Sequence, residues 1–184
     1  MLAYVFWHWK SDAVESETYE RLTRDFHASL RARRPEGFRR SVCFAIPGAG
    51  WIPDGRTAYE DWYLVDGSAA LDPLDRAAVA SPHQAPHDAV ARAVAGGAAG
   101  LYRLRLGSPL EERARFACWF RKPDGMAYGR LYDLLEPMSA AGAALWGRQM
   151  VLGPAPELCL HGDRPLELPA PLEGAAWPLS PVWP

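Results

Sequence analysis

The sequence predicts an α+β protein: a four-stranded antiparallel sheet built in the order βαββαβ, both helices on one face, followed by a shortened second copy of the pattern. Three observations predict it. "YVFWHWK" (4–10) alternates two bulky sets of side chains, as a strand covered on both faces does. Tyr19, Leu22, Phe26 and Leu30 recur at steps of three and four, which marks one face of a helix. "FACWFRK" (116–122) then repeats the aromatic, lysine-ended composition of the first strand.

Each element follows in order. In the first strand Tyr4, Phe6 and His8 form one set and Val5, Trp7 and Trp9 the other. The first helix is stopped by Pro35 and Gly37, with Arg31, Arg33 and Arg34 where cations complement the helix dipole. "FRRSVCFAI" (38–46) is the second strand, and "PGAGWIPDG" (47–55) is a turn-forming loop. In the third strand, "AYEDWYLVD" (58–66), Glu60, Trp62 and Leu64 oppose Tyr59, Asp61, Tyr63 and Val65. A broken helical region occupies about 69–95, interrupted by Pro82 and Pro86 and expected to stop at Gly96-Gly97. "GLYRLRL" (100–106) is the fourth strand.

These elements define a first unit, residues 1–107. After the break "GSPLEE" (107–112), a second, partial unit is expected over 113–162. It holds the strand at 116–122, a helix carrying Tyr128, Leu131, Leu135 and Met138, and strands in 144–153 and 156–162. Residues 163–184 contain Trp177, Trp183 and a run of prolines. They are expected to lie extended over the body or a partner, with neither helix nor strand.

Composition bounds the function. With 184 residues, the chain can bury a real core. Twenty basic and 22 acidic residues give a formal charge of −2, so nothing favours nucleic acid or an anionic membrane as partner. No signal-peptide pattern and no membrane-length apolar window are visible. Cys43, Cys118 and Cys159 are far apart and lie in apolar runs, which predicts buried free thiols in a reducing cytoplasm.

The βαββαβ order, the aromatic first strand and "YEDWYLVD…ALDPL…AAV…PHDAVARAVAGGAAGLYRL" resemble the dimeric α+β barrel superfamily, which is ferredoxin-like in topology. That group includes the NIPSNAP, EthD and antibiotic-biosynthesis-monooxygenase types. "WGRQMVLGPAPELCL" (146–160) resembles the signature of a bacterial subgroup. The resemblance implies two sheets closing face to face, with small-molecule pockets between sheet and helices. It does not supply a function, because members of one fold differ in chemistry.

The candidate site rests on two histidines. His87, Val90, Ala91 and Val94 fall at i, i+3, i+4 and i+7, so His87 shares the helix stripe that faces the sheet, with Asp88 beside it. His8 lies in the first strand, so the two approach one cavity from sheet and helix as an acid–base pair. Tyr4, Phe6, Tyr59, Trp62, Tyr63, Asp88, Val90 and Val94 are the expected ligand-binding residues for a small apolar or aromatic molecule. No cofactor is expected, since no phosphate-cradling glycine motif occurs. His83 and His87 have the spacing of two ligands on one helix face, yet no third donor stands nearby, so no metal is expected either. Glu60 and Asp61, if inside an apolar strand, need partners, for which Arg103, Arg105 and Arg148 are the candidates.

The alternatives are a non-catalytic interaction or assembly module whose aromatics are plain core, and, more weakly, a haem-binding barrel ligated by His8 or His87. A four-stranded sheet with helices on one face leaves its other face to be covered by the second half of this chain or by another copy. Because residues 113–162 supply only about half of a full repeat and are not expected to finish the barrel, a homodimer is expected.

Overall fold

In a computed structural model, described over residues 1–53, 56–81, 83–110 and 112–184, nine strands form one antiparallel sheet with four α-helices. The order is β1 (Leu2–Lys10), α1 (Ser16–Arg33), β2 (Phe38–Ile46), β3 (Ala58–Val65), a 3₁₀ turn (Ser68–Ala70), α2 (Leu71–Val79), α3 (Gln84–Ala93) and β4 (Val94–Leu106). Then come β5 (Phe116–Phe120), α4 (Tyr128–Ala140), β6 (Ala144–Arg148), β7 (Leu158–Gly162), β8 (Gly174–Pro178) and β9 (Ser180–Trp183). Among the described residues no helix is long and apolar enough to cross a membrane. The predicted interruption at Pro82, residues 54–55 of the predicted loop and Glu111 of the predicted break lie outside the described residues.

The strands lie side by side as β8-β5-β7-β6-β4-β1-β3-β2-β9. The first half runs β4-β1-β3-β2, and the second runs β8-β5-β7-β6, so the same four-strand order occurs twice. Period-two alternation sends side chains to two faces. On the inner face Val5, Trp7, Val42, Phe44 and Trp62 of the first half pack with Trp119, Trp146 and Cys159 of the second in one core. On the outer face of the first half, Leu2, Tyr63 and Val65 meet Phe26 and Leu30 of α1 and Leu74 of α2. In the second half Cys118, Leu145 and Leu160 meet Leu131 and Leu135 of α4. All three cysteines are free and buried.

α1 ends where Arg34 turns left-handed (φ 48°) ahead of Pro35, its N–H returning to the Leu30 carbonyl. Gly37 (φ +72°) follows because a Cβ there would stand 2.5 Å from the Ala70 methyl.

Three expectations change. Gly96 and Gly97 do not stop a helix; they belong to β4, which starts directly at Val94. Their role is clearance, because a Cβ at either would lie 2.6 Å from the Trp9 or Phe6 ring on β1. Pro86, expected to belong to the interruption and to open the second helical piece, is the third residue of α3, which starts at Gln84, so it lies within the tolerated first turn. The C-terminal segment, expected to carry no strand, forms β8 against β5 and β9 against β2. The two outermost strands are thus consecutive pieces of one segment, joined through the buried Leu179. The sheet face whose exposure argued for a second copy is covered by β5–β8 of the same chain, so that argument for a homodimer lapses.

Candidate functional site

The helix-facing side of β1 and β3 and the helices α1–α3 enclose a cavity of about 490 Å³, within the usual range for small-molecule sites. Alternation puts Tyr4, Phe6 and His8 of β1 on this side, and the antiparallel register places Tyr63 and Asp61 of β3 opposite Tyr4 and Phe6. α1 supplies Thr23, Phe26 and Leu30, α2 supplies Leu71 and Leu74, and α3 supplies His87, Val90 and Ala91. The walls are mostly apolar, with a few convergent polar groups.

Those polar groups centre on Asp61, which is 3% exposed. His8 Nε2 stands 3.3 Å from its Oδ2 and His27 Nε2 stands 3.2 Å from its Oδ1, ion-pair distances on either side of one carboxylate. The Tyr63 hydroxyl donates to Oδ2 at 2.7 Å. Burial pushes the Asp61 carboxyl up, but the His27 and His8 rings together outweigh it and hold the group well below the usual carboxylate range. Outward from this centre, His8 Nδ1 pairs with the Tyr19 hydroxyl, and His27 Nδ1 with Ser41 Oγ at 2.7 Å. The result is a continuous buried line, Tyr19–His8–Asp61–His27–Ser41. Each imidazole is clamped between aromatic planes: His8 stacks on Phe6 and Tyr59, and His27 on Tyr63 and Trp183.

His87 stands across the cavity, partly exposed, its Nδ1 3.1 Å from Asp88 Oδ1. With Nδ1–H donated to that carboxylate, Nε2 carries the lone pair and is free to accept a proton.

The structure brings His8, His87, Tyr4, Phe6, Tyr63, Val90 and Val94 to this one cavity. It does not bring Trp62 there: residue 62 has the opposite parity from Tyr59, Asp61 and Tyr63 and points into the inner core. Tyr59 stands behind His8 as a stacking partner, and Asp88 acts on His87. Neither carboxylate uses the arginines expected of it. Asp61 has the histidines, and Glu60, fully buried on the inner face, accepts from the indole N–H groups of Trp7 (2.7 Å) and Trp62 (2.6 Å).

Sequence reasoning missed His27, Thr23 and the central place of Asp61. One signal was present: Tyr19, Thr23 and His27 are spaced i, i+4, i+8 on the buried side of α1, so a second histidine shared the helix face with Tyr19.

Donor atoms of His8, Cys43 and Asp61 also lie within 4.8 Å of one another, a nitrogen–sulfur–oxygen set of the kind that suits a borderline-soft divalent cation. Each of the three strands β1, β2 and β3 contributes one donor, which is why no sequence spacing announced the group. His83 and His87, set aside above for want of a third donor, are not part of it, and His83 pairs with Ser29.

Glu60 gives a pH prediction. Burial raises its carboxyl to about 7, against the lowering effect of the indole donors. A raised folded-state value favours the protonated acid in the native state, so this contribution is full below about pH 4.5 and lost as pH rises through 7. In urea titrations wild type is expected to lose about 2 kcal/mol more between pH 5 and pH 8.5 than Glu60→Gln, which cannot ionise. Parallel pH dependence in the two proteins would contradict this account of Glu60. His161, also fully buried on the inner face, is pushed down to about 3 by burial and is neutral over this range.

No protein-family model matches the chain, and no curated protein matches it significantly. Among solved structures it is similar to an anthrone oxidase-like protein, with a TM-score of 0.52 and 10% identity over 98% of this chain and 90% of that one. A dimeric ferredoxin-like protein of unknown function from Thermobifida fusca matches with a TM-score of 0.40 and 17% identity, over 54% of this chain and 87% of its own. The first likeness is one of fold. The second, at its low TM-score, adds nothing to it.

Proposed function

We propose that the chain binds a small, largely apolar aromatic molecule in the cavity between β1, β3 and helices α1–α3, and moves a proton on it with His87, His8 acting from the cavity wall through Asp61. The observation that carries this reading is the cavity itself, about 490 Å³ with mostly apolar walls and a His–Asp–His line buried at one side. His87, its tautomer fixed by Asp88, takes a proton from an acidic O–H or C–H of the ligand at Nε2. His8 has its Nδ1 on Tyr19 and its Nε2 on Asp61, so it acts through the Asp61 carboxylate at the cavity wall, which stabilises positive charge on His8 or His27. Phe6 and Tyr63 offer ring faces to a planar ligand, and the name of the anthrone oxidase-like neighbour is compatible with that class.

The reading extends to architecture and place. With β8 and β9 consecutive and paired to opposite ends of the ladder, the sheet is taken to close as a single-chain barrel of two repeats, the second completed by β8. Three free thiols support a reducing, cytoplasmic setting. Haem gains no support as a ligand of His8, since both nitrogens of that ring face protein groups.

A thermal-shift screen of phenols, aromatic carboxylic acids and polycyclic polyphenols tests the proposal. Compounds that stabilise wild type by several degrees should lose at least tenfold in affinity in Phe6→Ala. With His87→Ala binding should persist while any proton exchange or turnover of the hit falls about 10²-fold or more. A screen without hits, or hits indifferent to Phe6→Ala, would leave the interaction-module reading in place instead.

A further inference from the structure

A second cleft, of about 620 Å³, opens on the other half of the molecule, between the start of α4, the end of β5 and the strands β4, β6 and β7. Three guanidinium groups face it, those of Arg105, Arg121 and Arg148. Among the described residues none of the three has a carboxylate within ion-pair distance, although the chain as a whole carries a net negative charge. Arg148 is anchored by its Nη atoms on the carbonyls of Gly153 (3.2 Å) and Ala155 (2.7 Å). Its Nε is buried and has no hydrogen-bond partner among the described residues. A fourth cation, Lys122, lies over the Tyr128 ring at 5.4 Å. The one acidic residue of the wall, Glu157, is engaged by the Lys122 backbone N–H at 3.0 Å.

The other wall is apolar. Tyr128 and Tyr132 stand with ring centroids 6.0 Å apart, and the loop after β6 presents Met150 and Leu152, 94% and 96% exposed. Apolar side chains so fully exposed beside an arginine cluster are a poor use of surface unless something lies against them.

We infer that this second cleft is a binding site for a small aromatic anion, its carboxylate or phosphate held by Arg105, Arg121 and Arg148 and its ring laid against Tyr128, Tyr132 and Leu152. Guanidinium forks match both anions in a bidentate manner, and their strength rises as the ring excludes water. The site is separate from the His8–His87 cavity and does not depend on the chemistry assigned there.

Calorimetric titration of the full chain with phenyl phosphate, benzoate and inorganic phosphate tests it. Phenyl phosphate or benzoate should bind at one site, and which of the two binds more tightly identifies the anion. Arg121→Ala should weaken binding at least tenfold, whereas Arg130→Ala, the same charge change on an exposed turn of α4 outside the cleft, should change it less than twofold. Arg121 is exposed and makes no hydrogen bond among the described residues, so its removal should leave the melting temperature unchanged. Absence of heat from both aromatic anions at about 10 mM, equal binding by Arg121→Ala and wild type, or inorganic phosphate binding as tightly as phenyl phosphate would each overturn the inference.

Discussion

Asp61→Ala is expected to destabilise the protein by about 3–5 kcal/mol, because it removes the common partner of two buried imidazoles and a buried phenol at once. His8, His27 and Tyr63 are all at most 7% exposed, so water does not replace the carboxylate. Asp61→Asn keeps one acceptor for the Tyr63 hydroxyl and should cost less, while still losing the charge between the two rings. The two variants also separate the charge from the packing through pH. The folded-state carboxyl of Asp61 is held well below its ordinary value by His27 and His8. A depressed value contributes stability above the unfolded carboxyl range, near pH 4, and that contribution disappears as pH falls through the folded value. Wild type should therefore lose stability as pH falls below about 4, and the Asp61→Asn curve should be flatter there. Equal acid limbs in denaturant titrations would show that the His–Asp–His line carries no net charge coupling.

Deletion of residues 174–184 is the second large effect. The segment contributes a strand to each end of the sheet, β8 on β5 and β9 on β2, and it buries Trp177 and Leu179 in the inner core. It also places Trp183 against His27. Core losses of this kind run at about 2–5 kcal/mol per large side chain, and the sum approaches the whole stability of an ordinary domain. The truncated chain should show no cooperative thermal transition and should expose inner tryptophans, seen as a red-shifted emission. Trp177→Ala alone should retain a cooperative transition, lowered by about 3 kcal/mol. A truncated protein melting within a few degrees of wild type would mean that the ends of the sheet stand without β8 and β9.

How much of this was legible in the sequence depends on whether the signal was local. β2 was readable to the residue, since Phe38–Ile46 is apolar, alternating and bounded by Gly37 and Pro47. The four-stranded antiparallel sheet of the first half followed from βαββαβ. Gly96-Gly97 misled because a glycine pair after a helical stripe reads as a stop, whereas here it makes room for aromatics arriving from β1, which only tertiary packing reveals. β8 and β9 were hidden for a similar reason. Both lie at the ends of the sheet and tolerate Pro178 and Pro181, so their composition resembled an extended tail. At the candidate site, His8 and His87 stood out against apolar neighbours. His27 sat inside a polar helix, and the meeting of residues 8, 27 and 61 is a product of register and helix docking that no spacing encodes.

The central claim is that the helix-facing cavity, and not the inner core, receives the ligand beside His8 and His87. Nitrogen-15 spectra of the imidazole side chains, recorded while the best aromatic hit is titrated in, test it directly. The protein holds its own control, because His161 lies fully buried on the opposite face of the sheet. The account predicts that the signals of His87 and His8 shift together and saturate at one ligand per chain, with His161 unmoved. Saturable binding that left His8 and His87 unchanged, or that moved His161 instead, would contradict it.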